Sequence, residues 1–265
     1  VNLNLSHNKN EVTRIANSEG IIHGSPNILS EGTTEMYRAQ EGYPIGYFYG
    51  YKTLGVFQSE KQIAEYSGAK LSGTAPGDLI FADTNKDGVI DDNDKCMIGN
   101  PHPDVIMGLT FNLGYKGFDL GITTNAVLGN QIARSYRSFA DQPKENYTTD
   151  ILGRWHGEGT SNRLPRVASG TNTNWLYISD IFIEDGDYFR IQNVTLGYDF
   201  KKLFPRIPLG QARLYVTAQN LATFTKYSGM DPEIGYGADK SWVSGIDVGF
   251  YPSPRTYMVG VNLKF

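Results

Sequence analysis

Twelve consecutive residues, DTNKDGVIDDND (83–94), hold the densest array of oxygen ligands in the sequence. A hard divalent cation such as Ca²⁺ takes about six to eight oxygens, which a 12-residue loop supplies from positions 1, 3, 5, 7, 9 and 12, with glycine at 6. Those positions are Asp83, Asn85, Asp87, the Val89 carbonyl, Asp91 and Asp94, with Gly88 at the turn and Ile90 between the halves. Asp94 stands where a longer Glu gives bidentate closure, and Mg²⁺ suits the same oxygen chemistry. A cation held here is expected to be structural, stiffening an external loop. The competing reading is a solvated turn whose Asp and Asn side chains cap their own backbone. Leu79-Ile80-Phe81, just before it, reads as extended, so flanking helices are not expected.

Three tryptophans, Trp155, Trp175 and Trp242, offer the amphipathic ring faces that stack on sugars. The plainer alternative is that they hold long loops together. His7, His23, His102 and His156 are scattered, without a metalloprotease or nucleophile-elbow arrangement. His102 lies between two prolines and reads as a turn residue. Nothing pairs the carboxylates across a cleft, so an enzyme is not expected. The single cysteine excludes an internal disulfide framework and a Cys-rich zinc site. With 24 basic and 28 acidic residues, a net charge of -4 and no Lys/Arg block, a nucleic-acid groove is not expected either.

The elements that must position these residues are strands. Over 257–265, Tyr257, Val259, Val261, Leu263 and Phe265 alternate with Met258, Gly260, Asn262 and Lys264. Such a period of two gives one apolar face and one small or polar face. The pattern recurs at about 9–11 residues, the length of a tilted membrane strand. Residues 105–115 set Ile106, Gly108, Thr110, Asn112 and Gly114 against Val105, Met107, Leu109, Phe111, Leu113 and Tyr115. Residues 118–128 put Phe118, Leu120, Ile122, Thr124, Ala126 and Leu128 on one face. Residues 189–200 set Ile191 and the run Val194, Leu196, Tyr198, Phe200 against Gln192, Thr195, Gly197 and Asp199. Residues 212–222 set Ala212, Leu214, Val216 and Ala218 against Arg213, Tyr215, Thr217 and Gln219. Aromatics recur near strand ends, as an interfacial girdle places them. A mean hydropathy of -0.37 agrees with strands that show lipid only one face.

Connections alternate in length. A tight turn follows 105–115, a long stretch follows 118–128, a short link follows 189–200 and another long stretch follows 212–222. Membrane barrels have short periplasmic turns and long extracellular loops, so 58–104, 129–187 and 223–254 are expected on one outer side. Seven strands are expected: 1–9, 43–57, 105–115, 118–128, 189–200, 212–222 and 255–265. The chain opens mid-strand, without initiator Met or signal segment, and seven is odd where bacterial barrels are even. Residues 1–265 are therefore expected to be one piece of a larger barrel, its plug and N-terminal strands lying outside this chain. In the loops, Ser59 with Gln62 predicts a capped helix closed by Gly68, and 145–156 predicts another.

Several stretches resemble the SusC/RagA-type family of TonB-dependent outer-membrane transporters of Bacteroidetes. They are GYPIGYFYGYKTLGVFQ (42–58), PGDLIFADTNKDGVIDDNDKCMIGNPHPD (76–104), YKGFDLGI (115–122), EDGDYFRIQNVTLGYDF (184–200), ARLYVTAQNLATFTKYSGMDPE (212–233) and the closing strand. The resemblance implies the C-terminal portion of a transmembrane antiparallel β-barrel of about 22 strands with a plugged lumen. It implies a bacterial outer-membrane location, a SusD-like surface lipoprotein as lid, and drive from TonB–ExbB–ExbD. The implied cargo is an oligosaccharide or a peptide. Nothing in this chain matches the family's plug or TonB box. Polar Asn112, Gln192, Arg213 and Gln219 would then line the conduit or meet the plug. The alternative is a secreted, calcium-stabilised β domain that binds glycans; it leaves the one-sided long connections unexplained.

Overall fold

A computed structural model describes residues 1–29, 32–135, 148–167, 173–235 and 242–265. Among them no helix is long and apolar enough to cross a membrane, which says nothing of strands. In chain order the strands begin with β1 (Asn2–His7), β2 (Ile21–His23), β3 (Tyr37–Gln40), β4 (Tyr47–Gly50) and β5 (Thr53–Val56). After helix α1 (Glu60–Glu65) come β6 (Leu79–Phe81), β7 (Cys96–Gly99), β8 (Val105–Tyr115), β9 (Phe118–Leu128) and β10 (Gln131–Arg134). The remainder are β11 (Ile183–Asp185), β12 (Tyr188–Asp199), β13 (Gln211–Thr225), β14 (Ile246–Asp247) and β15 (Thr256–Lys264).

Six of these form one open antiparallel sheet in the order β1-β8-β9-β12-β13-β15. Its register aligns the apolar sets into continuous rows. Leu113, Leu120, Leu196, Val216 and Val259 run side by side across five strands, as do Tyr115, Phe118, Tyr198, Leu214 and Val261. The opposite face carries Asn112, Gly121, Thr195, Thr217 and Met258 in one such row. The apolar rows are left uncovered: Val259 is 74% exposed, Val261 61% and Leu113 53%. A sheet with one bare aliphatic face and one small, polar face is built as the wall of a membrane barrel, the apolar face outward and the polar face inward. Aromatics close both ends of the outer face. Phe118 and Tyr198 lie 4.4 Å apart near the short turns, and Phe189 and Phe224 6.1 Å apart near the long connections. Tyr198 and Phe189 are separated by about 30 Å of strand; tilted by ~40°, that is a height of about 23 Å, close to the apolar band of such barrels.

Three long connections, 8–104, 129–187 and 226–255, leave the wall on the same side, and the tight turns on the other. They hold the remaining sheets: β2-β3-β4-β7, β5-β6 and β11-β10-β14. The expected strand 43–57 is corrected here. It splits into β4 and β5 within this loop layer, so the described wall has six strands rather than seven. The physical reason is burial on both sides, with Tyr47, Phe48, Tyr51, Val56 and Phe57 all at 3% exposure or less. A lipid-facing strand needs one apolar face; 43–57 is apolar on both.

The main hydrophobic cluster lies in the loop layer and takes no residue from the six wall strands. Leu29, Phe48 and Val56 from 8–104 meet Ala133, Trp175 and Phe182 from 129–187 and Val243 and Ile246 from 226–255. Polar ties join the same segments: Asp180 accepts from Thr53, Asn174 accepts from the Leu79 N–H, and Arg166 pairs with Asp78 at 2.8 Å. α1 starts as expected, Ser59 accepting from the Gln62 N–H, but Gln62 reaches back to the Gln58 N–H. The helix closes at Tyr66, short of Gly68, and Lys70 donates to the Ile63 and Tyr66 carbonyls at its end. Of the expected helix 145–156, residues 145–147 lie outside the described residues, and Thr149–Gly153 forms a 3₁₀ turn.

Candidate functional site

The inner face of the wall, with the loop layer above it, carries the polar and charged side chains of the wall strands. Its floor is mostly glycine, threonine and asparagine, because alternate residues of each strand there must leave room. Near the short-turn end, Asp119 on β9 and Arg213 on β13 form a two-point ion pair of 2.8 and 2.6 Å that crosses over β12. The residue beneath is Gly197, where an added Cβ would stand 2.5 Å from Asp119 Oδ1 and 2.6 Å from Arg213 Nε. Glycine is what lets the two side chains meet. A recess of about 440 Å³ beside the pair is lined by Asn112, Thr123, Asn193 and Thr195. Asn112, Arg213 and Gln219 thus lie on the inner face. Gln192 is the unpaired bulge residue, where the register shifts between Ile191 and Asn193.

That bulge sits just below a buried charge cluster at the loop end. Arg190, paired in register with Asn125 and Thr223, faces inward. Its guanidinium is 3% exposed, pairs with Asp231 and with Glu233 at 2.7 Å, and donates to Thr223 Oγ1 at 3.0 Å. Burial opposes the Asp231 charge, but the N–H groups of Glu233 and Ser253, together with Arg190, outweigh it and hold its pKa below the usual carboxylate value. Higher in the loop layer, Arg134 pairs with Asp150 at 2.9 Å and Glu184 at 2.7 Å. Burial likewise opposes the Glu184 charge, and hydrogen bonds from Arg134 and Ser228 more than offset it, lowering its pKa.

The three tryptophans stand in or against the loop core. Trp175 is 4% exposed, its ring edge-to-face with Phe182 and its Nε1 donating to the Arg166 carbonyl at 3.2 Å. Trp155 is partly buried and donates to Gln58 Oε1 at 3.1 Å, while Trp242 packs edge-on against Tyr37 at 5.2 Å. The acidic loop is bound to its own backbone. Asp83 accepts from the Gly88 N–H at 2.9 Å, Asp87 from the Val89 N–H at 2.9 Å, and Asp91 from the Asn93 N–H at 2.8 Å. Asp94, fully buried, accepts from the Thr84 N–H at 2.7 Å and the Asp91 N–H at 2.9 Å. Among the described residues no group of three or more His, Cys, Asp or Glu is arranged to hold a metal ion. His102 donates its Nε2–H to the Ile45 carbonyl, 2.6 Å away, tying the start of β8 to the loop layer.

Sequence reading missed the Arg190 cluster. Its signal was faint, an arginine on the polar face of a strand and two acids about forty residues on. Only the fold brings them together.

No family model matches the chain. Over 99% of its length it is 35% identical to TonB-dependent receptor P3 of Formosa agariphila and 31% identical to TonB-dependent receptor SusC of Bacteroides thetaiotaomicron. It spans about a quarter of the length of these curated relatives, 26% and 24%. It superposes on a solved structure of the RagAB peptide transporter with a TM-score of 0.72 at 19% identity, covering 99% of this chain and 26% of that one. A RagAB peptide importer in an open-open state gives a TM-score of 0.70 at 20% identity, covering 99% and 26%. The relatives are receptors and transporters, not enzymes. Along almost all of its length the chain is similar to such receptors, SusC among them, and it folds as a stretch of barrel wall with its loop layer, as the matching quarter of the RagAB transporter does.

Proposed function

We propose that residues 1–265 supply wall strands and external loops to an outer-membrane nutrient importer. Its lumen holds a plug, a SusD-like lipoprotein covers its mouth, and TonB–ExbB–ExbD drives it. The observation that carries this reading is the six-stranded wall, with apolar residues on one face, polar ones on the other and all three long connections on one side. A water-exposed secreted domain is disfavoured, because the same outer rows would then leave a continuous aliphatic surface in solvent. The open edges at β1 and β15 must also be paired, since each bare backbone group costs several kcal/mol in lipid.

The cargo is an oligosaccharide or a peptide. A peptide transporter among the similar structures supports the peptide class, and the oligosaccharide class rests on the resemblance of the sequence motifs. Trp155 and Trp242, which keep part of their rings exposed, are the tryptophans offered to cargo, whereas Trp175 serves the core. Ca²⁺ at the acidic loop would act as a brace, held by Asp83, Asn85, Asp87, Val89, Asp91 and Asp94. Deleting the whole transporter from its host and following growth on defined oligosaccharides and on defined peptides tests the function. Loss of growth on one class assigns the cargo. Unaltered growth on both, with the protein of the undeleted strain absent from its outer-membrane fraction, rejects the importer.

A further inference from the structure

We propose that segment 226–235 is a fixed constriction folded over the inner face of the wall and anchored by Arg190. The inference builds on the importer reading and adds to it a structural element that sets the width of the conduit. Four observations converge. The register places Arg190, Asn125 and Thr223 on the same inward face as Asp119 and Arg213, below the top of β12. The acids that hold Arg190 come from the connection after β13, so this segment turns back down the wall instead of rising from it. Arg190 lies two residues, about 7 Å of strand, below Tyr188 at the end of β12.

The segment is also tied at its other end. Tyr227 Oη donates to Asp247 at 2.5 Å within the loop layer, and the Ser228 N–H donates to Glu184 at 3.0 Å. Asp231 in turn accepts from the Ser253 N–H at 3.1 Å, fastening the two limbs of the connection together. Finally, the β12 bulge and the left-handed Asn220 (φ 50) on β13 interrupt both strands directly below the cluster. Bulges at barrel rims re-aim side chains, and here the re-aimed one is Arg190. The result is a strap with a buried charged rivet at one end and a hydrogen-bonded hinge at the other. A recess of about 270 Å³ under it, lined by Thr225, Met230, Pro232 and Arg255, opens beside the rivet.

The role assigned to Arg190 is positioning, so the test reads position first. In the full-length transporter in its membrane, with Cys96→Ser and every other native cysteine likewise replaced, spin labels at Met230→Cys and Asn112→Cys report the strap-to-wall distance. A single narrow distribution is expected. Arg190→Leu, and separately the Asp231→Asn, Glu233→Gln double variant, should each broaden it. In parallel, a membrane-impermeant thiol reagent added outside should modify Gln219→Cys about tenfold faster in both variants, as release of the strap widens the path from outside to the inner face. A narrow distribution that survives Arg190→Leu overturns the anchor. Broadening without faster modification overturns the constriction. A variant missing from the outer membrane is set aside, and the double variant, which keeps side-chain shape, decides. Failure of the importer reading is distinguishable, because the parent protein would then be absent from that membrane.

Discussion

A methyl group at position 197 would sit within 2.6 Å of both partners of the Asp119–Arg213 pair. Gly197→Ala is therefore expected to push the pair apart and to destabilise the folded transporter by about 1–3 kcal/mol, the range for forced overpacking. Denaturant unfolding in lipid vesicles measures it; an unchanged midpoint would mean the pair relaxes freely. At the acidic loop, Asp83 and Asp87 are predicted to matter in one of two ways. If Asp83→Asn with Asp87→Asn abolishes Ca²⁺ heat in calorimetry of the whole protein, the loop is a cation brace. If the parent gives no heat at all, the backbone caps suffice. His23 provides a pH dependence. Its ring nitrogens face Glu35 at 2.9 Å and Glu19 at 3.1 Å, so both must carry protons, and the Glu35 hydrogen bond raises its pKa above 6.5. Its contribution is present in full below pH 6.5 and is lost as pH rises through the raised folded value. Hydrogen exchange over 15–24 should speed up across that window, and should lose the dependence in His23→Gln.

At the level of elements, the wall strands obey one rule and the loop strands another. Outer positions of β12 and β13 meet lipid, so Val216→Arg should cost about 2–4 kcal/mol in vesicle-folded transporter, while Thr195→Arg, facing inward, should cost far less. Equal costs would reverse the assignment of faces. This alternation was legible in the sequence because period two is imposed locally by the pleat. Even the bulge left a trace, in the phase slip from Ile191 to Val194. The 43–57 segment was not legible in the same way. Its aromatic richness suits a lipid-facing strand and a doubly buried loop strand alike, and the choice depends on what lies opposite. Phe182, 1% exposed in the loop core, should cost about 3–5 kcal/mol on truncation to Ala. The loss should appear as loosened external loops with wall strands still protected from exchange, since the wall contributes nothing to that cluster.

For the whole molecule, three connections distant in sequence share one core. The external layer should thus open as a unit, and proteolysis of intact cells should cut within it rarely before it unfolds. The chain expressed alone, with two bare sheet edges and an aliphatic outer face, should aggregate without detergent. A soluble, cooperatively folding monomer would reject the wall.

Strand spacing, the apolar and polar faces, the side on which the long connections lie and the likeness to SusC/RagA receptors were all determined by sequence. Each is written in neighbouring residues or in connection lengths. Which strand joins the wall, how the loop core closes, how Asp94 is used and which acids hold Arg190 were decided by tertiary structure. Those depend on contacts between residues from 10 to more than 120 apart, and burial across such separations leaves no periodic mark along the chain.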